Sequence, residues 1–155
     1  MSYILGMDLT RIDATNLFDA GTIGRTEDGK LYKYIQYENG AAAVAGVLGE
    51  VAYYAKVAVG DATGTIVTSD VSDSDAVGAG VLQASLTDGA FGWIQVTGLA
   101  TLSIALTAGV DGDALTPTGA GDGTLDVNIA TAANTDICAR AFDASAFIIM
   151  CDFVH

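Results

Sequence analysis

The sequence predicts an all-β protein, a single-domain antiparallel sandwich or barrel of short strands, on three observations. Within Phe91 to Thr107, Ile94, Val96, Ala100, Leu102, Ile104 and Leu106 fall on one side, and Gln95, Thr97, Thr101, Ser103 and Thr107 on the other. This is the alternation of a strand with one covered face. Nineteen glycines and a single proline, Pro117, punctuate the 155 residues at short intervals, as turns between short strands do. No sustained helical period separates the strand patterns, which excludes a layered α/β arrangement.

Taken in order, residues 1–20 mix Tyr3, Ile4, Leu5 and Met7 with Asp8, Arg11 and Asp13 without a period. They are expected to form an extended N-terminal arm; the alternative is an edge strand folded onto its own domain. The β-rich domain then runs over 21–155. Asp28-Gly29 is a hairpin turn signal, followed by a strand, Leu31 to Tyr37, with large side chains on both faces. A strand of that kind is covered twice, by the core and by a second layer or a neighbouring subunit. Residues 41–49 are alanine-rich but broken by Gly46 and Gly49, and are expected to form a short helix or a tightly packed loop. Val51 to Val59 alternates as a strand, Thr65 to Thr68 is a short one, and Ser69 to Asp75 reads as an acidic loop. Gly78 to Leu86 is a buried strand. Gly98 interrupts the 91–107 pattern, where a glycine marks a bend or bulge. Ala114 to Pro117 and Leu125 to Ile129 are short strands, and Ile137 to Phe142 and Ala146 to Val154 close the sheet through a turn at Asp143.

Six basic against 19 acidic residues leave a net charge of −13, which argues against nucleic acid as a partner, since phosphate contacts need a cationic footprint. No apolar run approaches the length of a membrane span. Neither is a secretory leader visible, so a product made in the cytoplasm is expected.

Catalysis finds no foothold. The sole histidine, His155, is the last residue, and a nucleophilic hydrolase needs a well-held base beside its nucleophile. Zinc-type Cys/His spacing is absent and no cofactor motif occurs; glycine-rich turns here lack the lysine and helix start of a phosphate loop. Asp70, Asp73 and Asp75 have the close spacing of calcium ligands but not the glycine and distal glutamate of an EF-hand, so a solvated turn is the expected reading. Cys138 and Cys151 are either a cross-strand pair or buried free thiols. A non-enzyme is expected, with Tyr3, Ile4, Leu5, Tyr32, Tyr34, Ile35, Tyr37, Trp93 and Gln95 as interface candidates, because aromatic residues supply large contact areas with polar tips.

A series of segments carries a resemblance. Asp28-Gly-Lys-Leu-Tyr-Lys-Tyr-Ile-Gln36 leads through the alanine-rich link to Val51-Ala-Tyr-Tyr54. Gly80-Val-Leu-Gln-Ala84, Gly92-Trp-Ile-Gln-Val-Thr-Gly98, Gly112-Asp-Ala-Leu115 and Ala139-Arg-Ala-Phe142 follow. From about Gly21 onward the chain resembles the capsid decoration (cement) proteins of tailed bacteriophages. The resemblance implies a β-rich virion protein without catalytic residues or cofactor. It would be a homotrimer, bound to the major capsid protein on the outer capsid surface and holding neighbouring capsomers together. Alternatives are another phage structural subunit (tail tube, fibre or minor head protein) and a carbohydrate-binding β-sandwich that uses Trp93.

Overall fold

The turn at Asp28-Gly29 forms where the sequence places it. In the computed structural model, which describes residues 7–56, 64–129 and 136–155, it joins β1 (Ile23–Arg25) to β2 (Leu31–Tyr37). Gly29 sits at φ +84°, in the left-handed region that costs glycine least.

Strand β2 organises the first sheet. Along one edge it pairs with β1 at its start and, in parallel, with β4 (Ile66–Thr68) at Gln36 and Tyr37. Along the other edge it pairs antiparallel with β6 (Phe91–Gln95), from Tyr32 opposite Gln95 to Gln36 opposite Phe91. With β3 (Val51–Ala55) and β5 (Ser74–Leu82), the pairings run β2-β4-β3-β5-β6 and return to β2. The ring is a small barrel, and closure removes the open edges a flat sheet would expose.

The second sheet is antiparallel, in the order β7-β11-β10-β8-β9: β7 (Thr97–Thr101), β11 (Ile148–Asp152), β10 (Ala139–Asp143), β8 (Ala114–Thr116) and β9 (Asp126–Val127). Its inner face contributes Leu115, Ala139, Ala141, Ile149 and Cys151 to one continuous core with Ile35, Tyr37, Val51, Tyr53, Leu82 and Ile94 of the barrel. The architecture is all-β, a barrel packed against a sheet.

The bend expected at Gly98 is the corner at which the chain leaves the barrel for the second sheet. Gly98 has φ +88°, and a Cβ there would lie 2.8 Å from Lys30 Cγ. Gln95 holds the corner: its buried amide donates to Thr97 O at 3.0 Å and Leu99 O at 2.8 Å, occupying two carbonyls of β7.

Two expectations change. The strand expected through Thr107 ends at Thr101, because its next residues bond to three different neighbours: Leu102 N to Phe147 O, Ser103 N to Gly49 O and Thr107 N to Leu125 O. Inward–outward alternation nonetheless continues, with Leu102 buried and Ser103 exposed. Strand β5 begins at Ser74, inside the stretch expected to be an acidic loop. Residues 41–49 take the packed-loop alternative, bridged to Leu86 through Gly46, where a Cβ would strike the Tyr37 ring and Leu82. The expected strand over 51–59 runs to Ala55; its end from residue 57 lies outside the described residues.

Candidate interaction surface

On β2 and β6, Tyr32, Tyr34 and Trp93 point away from the barrel core and form a second apolar cluster. Tyr34 and Trp93 are directly opposed across the ladder, with ring centroids 5.1 Å apart. The chain's own N-terminal segment covers them: Met7, Leu9 and Phe18 pack on the cluster, Phe18 lying 5.3 Å from Tyr34 and 5.6 Å from Trp93. A two-bond bridge between Asp13 and Phe91 fastens this strap. Tyr34 Oη donates to Asp13 Oδ2 at 2.7 Å, and Arg11 Nε to Asp13 Oδ1 at 2.6 Å.

The aromatic interface expected from the sequence is therefore internal to the chain. Tyr34, Ile35, Tyr37 and Trp93 are fully buried, and Tyr32 and Gln95 nearly so. Large side chains on both faces of β2 do mark double cover, but the strap is the second layer. Residues 7–18 thus fold onto their own domain, as in the alternative, but as a strap held by one isolated bridge and not as an edge strand. Tyr3, Ile4 and Leu5 lie outside the described residues. Trp93 offers no open face to a sugar ring.

Burial pushes the Asp13 carboxyl up, but hydrogen bonds from Tyr34 and Arg11 and the charge of Arg11 outweigh it and hold the group below its ordinary value; burial and the same bond push Tyr34 up to about 12. A depressed carboxyl stabilises the fold above its unfolded pKa, about 3.9, and loses that contribution as pH falls through the folded value. Asp13→Asn is expected to cost on the order of 1–2 kcal/mol at pH 7. The gap from wild type should narrow in urea titrations as pH falls below the unfolded carboxyl value; a gap independent of pH would remove the carboxylate's role as clasp.

Several other groups with chemical potential serve the fold. Asp70 caps the 3-10 turn Val71–Asp73, accepting from Ser72 N at 2.9 Å. Asp73 accepts from Ala41 N, and Asp75 is exposed. Among the described residues no three His, Cys, Asp or Glu side chains converge as metal ligands. Cys138 and Cys151 are free and buried. Ala139, not Cys138, faces Cys151 across the ladder, while Cys138 Sγ packs where a Cβ on Gly78 would sit. Burial raises both thiols, Cys151 to about 12, which keeps them protonated and unreactive. Lys33, inside the barrel end, donates to Tyr54 Oη at 3.0 Å and Gly64 O at 2.8 Å.

Among the described residues, the second sheet carries an uncovered apolar band on its outer face. Register places Leu99, Met150, Arg140 and Ala114 side by side across β7, β11, β10 and β8. Leu99 is 37% and Met150 40% exposed, with Phe142 at the β10 bulge 58% and Ile137 50%. A hollow of about 370 Å³, lined by Ile137, Ala139, Arg140, Met150, Cys151 and Asp152, opens beside the band. On its other side Leu99 shares a hollow of about 360 Å³ with Leu48, itself 54% exposed. Grouped exposed apolar side chains, unlike scattered ones, mark contact surfaces. This band was missed in the sequence because Ile148 to Phe153 is apolar at almost every position and reads simply as a closing core strand. The signal was the one used at Leu31 to Tyr37: large side chains on both faces. No protein-family model, curated protein or solved structure matches the chain.

Proposed function

We propose that the chain is a virion structural protein that binds the outer surface of a tailed-phage capsid and stabilises the lattice, as a decoration protein without chemistry of its own. One observation carries this reading: the aromatic side chains of β2 and β6 are buried within the fold, whereas the outer face of the second sheet leaves an apolar band open for contact. Attachment needs only a stiff scaffold and such a surface, and many copies on one lattice add avidity to modest contacts. The series of segments resembling decoration proteins agrees with it. Its most specific part, Gly92 to Gly98, builds the β6–β7 corner on which the band depends. The proposed partner is the major capsid protein and the proposed assembly a homotrimer.

Shells of the encoding phage, incubated with purified protein, are expected to retain it on sedimentation and to withstand heat or chelator better than bare shells. A cryo-electron map should place it outside the lattice at three-fold positions. Protein that neither pellets with shells nor occurs in virions would end this reading; density in the tail would transfer it to a tail component.

A further inference from the structure

The open band lies in the more acidic part of the chain. Residues 99–155 contain seven aspartates against one arginine, Arg140, whereas five of the six basic residues fall at or before Lys56. Asp152 lines the hollow beside Met150, and Asp143 ends β10 next to the exposed Phe142. The band is therefore an apolar centre with aspartates along its β10 and β11 rim, one cation, Arg140, in its middle row and a second, Lys30, lining the hollow on the Leu99 side. Face-to-face stacking of two copies would oppose like charges, which disfavours association. A basic partner is drawn to the same rim and can bury the centre.

We infer that the outer face of β7, β11 and β10 docks a basic protein surface, one that presents an apolar side chain ringed by lysine or arginine. The apolar side chain enters the hollow between Met150 and Ile137; the ring meets Asp152 and Asp143, and Arg140 meets a carboxylate or carbonyl of the partner. This rests on the capsid-binding reading and adds to it which face is turned to the shell and what chemistry the shell offers there.

The test is co-sedimentation of the full chain with shells of the encoding phage, at about 0.1 and 0.5 M salt, which brackets weak and strong screening. Met150→Glu and Leu99→Glu place a charge in the band and are expected to weaken binding roughly tenfold or more, as loss of central contacts does. Ile12→Glu, at an exposed apolar position on the strap, is expected to bind as wild type. Unchanged Trp93 emission checks that each variant is folded. High salt should weaken wild-type binding several-fold.

If both band variants bind like wild type, the face is wrong and the capsid reading stands. Salt-independent binding overturns the basic partner. Should Met150→Glu instead dissociate an oligomer of the free protein, the band is a contact between copies and the inference falls. Failure of wild type to bind shells removes both this inference and the reading beneath it.

Discussion

Trp93→Ala is expected to lower the free energy of unfolding by about 3–5 kcal/mol, the range for deleting a large buried aromatic side chain. Domains are stable by only about 5–15 kcal/mol, so the variant should lie near the threshold of folding. Trp93 has no exposed surface and is flanked by Tyr34 and Phe18, so truncation leaves a cavity between the barrel wall and the strap. Phe18 would lose a ring partner, and the strap would be left with Tyr34, the Asp13 clasp and its smaller contacts. Two measurements check this. Urea unfolding followed by far-ultraviolet circular dichroism gives the loss, and limited proteolysis at the exposed residues 14–16 reports release of the strap. A loss below about 1 kcal/mol would mean that the strap does not seal Trp93. Trp93→Phe, which keeps a ring, should restore much of the stability.

The strap also explains what the sequence conceals. Period-2 alternation made β2, β6 and the start of β7 legible, as did the Asp28-Gly29 turn and the bend at Gly98, because each depends on neighbours close in sequence. The same alternation reported that both faces of β2 are covered, but no local pattern says by what. Residues 7–18 have no period because they are held by separate anchors, a bridge at Asp13 and apolar contacts at Met7, Leu9 and Phe18. Barrel closure was equally hidden, since the parallel β2–β4 pair rests on only Gln36 and Tyr37 facing Ile66 and Val67. Ser74 and Asp75 read as loop because they continue a run of serines and aspartates; register with β3 makes them strand, Ser74 lying opposite Ala55. For the contact surface, side-chain size pointed to aromatics that the fold uses internally. The open residues, Leu99, Met150 and Phe142, lie on strands whose other face is also apolar, and only sheet order separates the two.

Tyr53 offers the second large effect, because it ties the barrel to the second sheet. It lies on β3 with its ring in the shared core, and its hydroxyl reaches the turn before β9. There its single hydrogen is shared between Thr124 O and Gly121 O, and its oxygen accepts from Thr124 N at 3.0 Å. Nearby backbone bonds, Val51 N to Gly123 O at 2.8 Å and Gly123 N to Ser69 O at 3.0 Å, complete the seam. Burial raises the Tyr53 hydroxyl well above its ordinary pKa, so it stays neutral and continues to donate at any pH the fold survives. Tyr53→Phe keeps the packing but leaves the buried Thr124 N–H without its acceptor, at an expected cost of about 1–3 kcal/mol. Tyr53→Ala removes the ring as well and should cost about 3–5 kcal/mol or more. The difference between the two variants separates packing from hydrogen bonding. Hydrogen exchange adds a spatial readout: in Tyr53→Phe the amides of Gly123 and Thr124 should lose protection before those of β2 and β6. Uniform loss across both sheets would mean that the seam opens only with global unfolding, and that barrel and second sheet form a single cooperative unit.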